Sequence, residues 1–166
     1  MRWAPTRSPP APLTDGSLEA VETMLGRTLP DAYVNLLREQ NGGRLLRDVV
    51  LINDSIPAKF LGWIEDAYEI GTLHGAIPDK DALDSVTATS YMTTEWRLPP
   101  DLVLLAGNGH TWLALDYSKP GEPSVVIARA DEPELFKIAE NFTALLSQLV
   151  PYEAVWDADG VRIDKG

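Results

Sequence analysis

Residues 102–118 read Leu-Val-Leu-Leu-Ala-Gly-Asn-Gly-His-Thr-Trp-Leu-Ala-Leu-Asp-Tyr-Ser. Two apolar runs flank Asn108-Gly109, a dipeptide suited to a two-residue type I′ turn because both central positions need positive φ. The stretch predicts a β-hairpin. With that turn, Leu104 stands opposite Leu113 and Leu102 opposite Leu115 on one face. Leu105 stands opposite Trp112, and Val103 opposite Ala114, on the other. A slip of one residue would invert both faces. Both faces are apolar, so both are expected to be covered.

Downstream, the Lys119-Pro-Gly-Glu-Pro123 loop leads to Ser-Val-Val-Ile-Ala-Arg at 124–129, a third strand. Leu135, Ile138, Ala139, Phe142, Leu145, Leu146 and Leu149 then recur at intervals of three and four. This predicts one long C-terminal helix, capped by Asp131, favoured by Glu132 and Glu134 at its positive end, and stopped by Pro151. Residues 152–166 form a last short strand around Ala154-Val-Trp156 or trail off.

Upstream, residues 1–14 carry Pro5, Pro9, Pro10 and Pro12 and read as a mobile arm in which only Trp3 docks. Residues 15–166 form a single domain with a core at about 17–150. Ser17 opens a first helix closed by Gly26. Pro30 starts a second, with Tyr33, Leu36 and Leu37 as its apolar stripe, and Asn41-Gly42-Gly43 caps it. Val49-Val-Leu-Ile52 reads as a buried strand. Phe60-Leu-Gly-Trp-Ile64 is open between a strand and a helix start, and residues 84–96 lean towards a helix ended by Leu98-Pro99-Pro100. Two helices, then strands, then a helix predict an α+β fold with a central antiparallel sheet.

The chain has 166 residues, 45% of them hydrophobic, and no cysteine. A disulfide framework, a thiol nucleophile and a thiolate metal site are therefore excluded. With 14 Lys and Arg against 25 Asp and Glu, the net charge is −11. That disfavours nucleic acid and anionic membrane and favours a basic partner. No apolar run is long enough for a membrane span or a secretory leader, so a cytoplasmic location is expected.

No catalytic residue, cofactor or metal site is expected. The two histidines, His74 and His110, lack ligand spacing. His110 and Asp116 share a strand face, but six residues at ~3.3 Å each keep them about 20 Å apart. An enzyme built on His74, His110 and Asp116 is the least favoured reading. The acidic excess lies after residue 58, where 8 basic groups meet 18 acidic ones. Within it, Trp63-Ile-Glu-Asp-Ala-Tyr-Glu69 combines aromatics with acids, and Glu65, Asp66, Tyr68 and Glu69 are candidates for contact with a protein partner.

Three motifs in order now acquire a common meaning. They are Leu29-Pro30-x-x-Tyr33-x-x-Leu36-Leu37 before Asn41-Gly42-Gly43, the segment Gly107-x-Gly109-His110-x-Trp112-x-x-Leu115-Asp116-Tyr117, and Ile138-Ala139-x-x-Phe142-x-x-Leu145-Leu146. Together they resemble the SUKH superfamily, the Smi/Knr-like proteins. The resemblance implies an α+β fold with helices on an antiparallel sheet, no catalytic residues, and a protein-binding role. It offers two such roles: an immunity protein for a toxin, often a nuclease, or a regulatory scaffold without a toxin partner.

Overall fold

A computed structural model describes residues 2–52, 55–62, 64–107 and 109–163. The first helix, α1 (Asp15–Leu25), begins two residues before Ser17 because Thr14 caps it. The Thr14 hydroxyl accepts the Ser17 N–H at 3.1 Å and the Ser17 hydroxyl accepts the Thr14 N–H at 2.9 Å, so two end donors are satisfied reciprocally. Gly26 ends the helix at φ 65°. Helix α2 (Asp31–Glu39) follows Pro30 and buries Tyr33, Val34, Leu36 and Leu37.

Asn41-Gly42-Gly43 does not supply a left-handed cap. The helix ends at Gln40 in an extended conformation, and the three residues turn into β1 (Gly43–Arg44). The reason is tertiary. Asn41 is buried; its Oδ1 accepts the Ala76 N–H at 2.8 Å, and its Nδ2 donates to the Ala76 and Ala11 carbonyls, each at 3.1 Å. Gly42 has φ 108°, and a Cβ there would lie 2.8 Å from the Gly75 nitrogen. A Cβ on Gly75 would lie 2.1 Å from the Asn41 carbonyl oxygen. The motif is a place where two backbones touch.

Strand β2 (Val49–Leu51) lies between β3 (Ala67–Glu69) and a later strand, while β4 (Thr72–Leu73) pairs with β1. Between β2 and β3, Ala58–Phe60 forms a 3₁₀ turn and Leu61 bridges Ile64, so the described residues 60–62 and 64 form neither a full strand nor an α-helix. Residues 84–96 are helical from Val86, first as a 3₁₀ turn and then as α3 (Thr89–Glu95).

The central sheet is the antiparallel meander β5 (Leu102–Gly107), β6 (Thr111–Asp116), β7 (Ser124–Arg129) and β8 (Phe136–Ala139). The hairpin forms, but its register differs from the two-residue-turn expectation by one residue over Leu102–Leu104 and by two at Ala106 and Gly107. Val103 pairs with Leu115, Leu104 with Ala114 and Gly107 with Trp112, and the ladder shifts between Leu104 and Ala106. The expected turn pairs Gly107 with His110, so the observed connection is longer; Asn108 itself lies outside the described residues. The slip exchanges the face partners. Val103, Leu105, Leu113 and Leu115 join the core under α1 and α2, whereas Leu102, Leu104, Trp112 and Ala114 form a second core with Leu98, Met92 and Trp96. Both faces are covered, as two apolar faces require.

The long C-terminal helix is replaced by a strand and a short helix. Phe136 and Lys137 pair with β7, and α4 (Phe142–Gln148) starts only at Asn141, whose side chain accepts the Ala144 N–H at 2.8 Å. Asp131 has φ 60° and caps nothing. Phe136 packs on Phe60, ring centroids 6.0 Å apart. The free edge of β7 takes residues 136–139 as a strand because its backbone donors and acceptors need partners, and this overrides a three-four repeat.

Both terminal segments have buried anchors among the described residues. Trp3 bridges Leu45 and is buried, Leu13 is buried too, and residues 5–9 run exposed between them. After α4, β9 (Leu149–Val150) pairs with β2, and Val155 is buried beside Val49 and Ala67. None of the helices among the described residues is long and apolar enough to cross a membrane.

Replacing Asn41 by Ala leaves the Ala76 N–H and C=O without their buried partner, so Asn41→Ala is expected to lower unfolding stability by about 2–4 kcal/mol. Equilibrium urea denaturation measures it, and a loss under about 0.5 kcal/mol would show that the clamp is dispensable.

Candidate protein-binding surface

The segment singled out for its acids forms the approach to β3 and the strand itself. Trp63 lies outside the described residues. Glu65 is exposed and has no ion pair among the described residues. Asp66 is held by the C-terminal tail: Arg162 donates through Nε to Oδ1 at 3.3 Å and through Nη2 to Oδ2 at 3.1 Å. Glu69 pairs with Arg44, which also reaches Asp48 at 2.9 Å. Asp48 is buried, and burial holds its carboxyl above the usual range despite Arg44. Tyr68 turns inward against two core clusters, and burial pushes its phenol up to about 12. Two of the three carboxylates of this edge, Asp66 and Glu69, are thus paired with the chain's own arginines, and Tyr68 offers only part of its ring.

A cavity of about 540 Å³ adjoins that edge. Tyr68 and Glu69 on β3 meet His74, Leu83, Asp84 and Gly107 across it. Leu83 is 58% exposed, a large apolar side chain lining the hollow. The contact between the Asn41 turn and Gly75 carries residues 75–85 here: the Gly75 N–H donates to the Asp84 carbonyl at 3.0 Å, and the Val86 N–H to the Gly75 carbonyl at 2.9 Å. The sequence does not mark Leu83 and Asp84 as neighbours of Glu69, because 14 or more residues separate them and the Gly75 hydrogen bonds that place them are long-range.

His74 forms the floor. It is buried, its Nδ1 lies 3.2 Å from the Leu104 carbonyl oxygen, and its ring meets Trp112 edge-on. That contact makes Nδ1 the protonated nitrogen of the neutral ring. Burial holds its pKa below the ordinary 6.5, against the pull of Asp84 towards the charged form. His110 packs on Trp96 instead, with centroids 6.0 Å apart, so the two histidines do not meet in one site. Asp116 accepts the Ser118 N–H at 2.9 Å as a turn residue. Among the described residues, no three His, Asp or Glu side chains converge to hold a metal.

Several motif residues make fixed contacts within the fold. Tyr33 donates to the His74 carbonyl at 2.5 Å and meets Phe142 edge-on at 5.1 Å. Tyr117 donates to the Thr28 carbonyl at 2.7 Å beneath the Arg27 guanidinium. Gly107 has no room for a side chain, because a Cβ would lie 2.1 Å from the Trp112 ring. A sheet of four strands with helices on its face, locked by these contacts, defines an α+β domain. The family model of the SMI1/KNR4 family (SUKH-1) matches residues 12–148, and the chain belongs to that family. Comparison with curated proteins finds no match.

Because His74 is harder to protonate in the folded chain than in the unfolded one, the unfolded state binds more protons as pH falls through about 6.5. Its contribution is complete above that pH and is lost below it. Stability measured by denaturation between pH 7.5 and 5 should therefore fall more steeply in the native chain than in His74→Gln. Equal slopes would refute the assignment.

Proposed function

We propose that this protein is a non-catalytic, cytoplasmic binding module of the immunity type, which neutralises a basic toxin domain by covering part of its surface. The observation that carries this reading is the acidic hollow at the β3 edge, where Glu69 and Asp84 flank the exposed Leu83. An exposed leucine that shares a hollow with Asp84 and the Arg44-paired Glu69 suits a docking centre, since apolar contact holds a complex while nearby charge speeds its formation. Family membership and the net charge of −11 support the same reading. A nuclease toxin must present a basic surface to hold phosphates, and an acidic inhibitor competes for that surface electrostatically. Glu65 and Glu69 remain the contact candidates on β3 and its approach, with Asp66 and Tyr68 as their support.

The test is binding to the product of the neighbouring toxin-like gene. Wild-type chain should associate faster at 50 mM than at 300 mM salt. Glu65→Lys with Asp84→Lys should slow association about tenfold, and Leu83→Asp should speed dissociation by a similar factor. If a complex forms but all three substitutions leave its kinetics unchanged, the surface is elsewhere. If none forms at low salt, the immunity reading fails and a regulatory partner is favoured.

A further inference from the structure

We propose that the groove between α2 and α4 is a second docking site, for an acidic amphipathic helix of a partner protein. This goes beyond the acidic hollow and depends on a different part of the molecule. The groove encloses about 590 Å³, with Leu36, Leu45 and Leu149 at its base. Its walls are two helical ridges of matching period. Ala32, Asn35 and Leu36 on α2 and Thr143, Leu146 and Ser147 on α4 each follow i, i+3, i+4 spacing. Such paired ridges leave a furrow into which a third helix can lay its own apolar stripe.

The charge around this furrow is opposite to that of the chain. Although 25 of the 166 residues are acidic, none of the described ones lines the groove; the charged residues that line it are Arg2 and Arg47. Arg47 is exposed and has no ion pair among the described residues, and Arg2 meets Glu39 only at 3.8 Å. The two arginines share one rim, because the Leu46 N–H donates to the Arg2 carbonyl at 2.9 Å and lays the N-terminal arm beside residues 44–46. Leu46, 42% exposed, projects at the same rim. An apolar floor with cations along one side selects a helix that is apolar on one face and acidic beside it. A second copy of the chain is the weaker fit, since a stable dimer face needs about 800 Å² per partner and this furrow is narrow. Arg2 precedes the matched family region, which starts at residue 12, so part of the rim belongs to this chain's own extension.

The test is selection from a displayed library of 16-residue helical peptides with randomised charged and apolar positions. The full chain is the bait, and Leu46→Glu/Arg47→Glu is the counter-bait. Both residues are exposed, and unchanged denaturation of the double variant verifies its fold. The expected winners carry apolar residues at i, i+3 or i+4, and i+7 with net negative charge. They should bind Arg47→Glu and Arg2→Glu at least tenfold more weakly and lose affinity as salt rises. Winners that are basic, winners that bind the counter-bait equally, or no enrichment over the counter-bait would each overturn the proposal. So would a concentration-dependent dimer that the double variant abolishes, which would assign the groove to a second copy.

Discussion

Asn41 joins the helical and the sheet parts of the molecule through main-chain groups rather than through shape. Its amide satisfies both hydrogen-bonding groups of Ala76 and a carbonyl of the arm in one buried position. Gly42 and Gly75 remove the side chains that would keep the two backbones apart. Much else depends on that contact. It sets where β4 lies against β1, and it carries the 75–85 segment over to the β3 edge. His74, whose carbonyl receives the Tyr33 hydroxyl, is held from the other side by α2. An Asn-Gly-Gly sequence after a helix therefore has a tertiary purpose here, and its loss would displace the hollow as well as loosen the core.

The legible parts of the fold are those whose evidence is local. Thr14, Ser17 and Gly26 bound α1 by hydrogen bonds and φ values confined to a few residues. The hairpin was visible because two apolar runs meet at a glycine-rich turn. Its register was not, since one extra residue in β5 and a longer connection are not encoded in composition. The failure at residues 131–141 is of another kind. A three-four repeat predicts a helix when each residue is judged by its neighbours, but Phe136 and Ile138 also alternate, and the unpaired edge of β7 decides between the two. Long-range pairing won because main-chain groups at a sheet edge would otherwise lack partners.

The candidate surface divides in the same way. The acids of residues 65–69 could be read directly; their state could not. Arg162 reaches Asp66 across 96 residues and Arg44 reaches Glu69 across 25, so much of the expected negative edge is balanced internally. Tyr68 looked like an anchor and is largely a core residue, because β3 has one face turned to the interior. Leu83 and Asp84, on the far wall, carried no sequence signal beyond an exposed loop.

The extensions outside the matched region act on both surfaces. The tail brings Arg162 to Asp66 and subtracts charge from the β3 edge. The arm brings Arg2 to the furrow and adds charge there. Each extension is held by a buried aromatic or aliphatic side chain, Trp3 at one end and Val155 at the other, so its charge arrives at a defined place. A domain with a shared core can in this way change what it attracts without repacking that core. The added residues need only one buried anchor each, and the electrostatic consequence reaches about a Debye length, ~10 Å at 0.1 M salt, which covers a docking site and little more. Under the proposed binding role, specificity is set at the margins of the domain, where charge can be moved at small cost to stability.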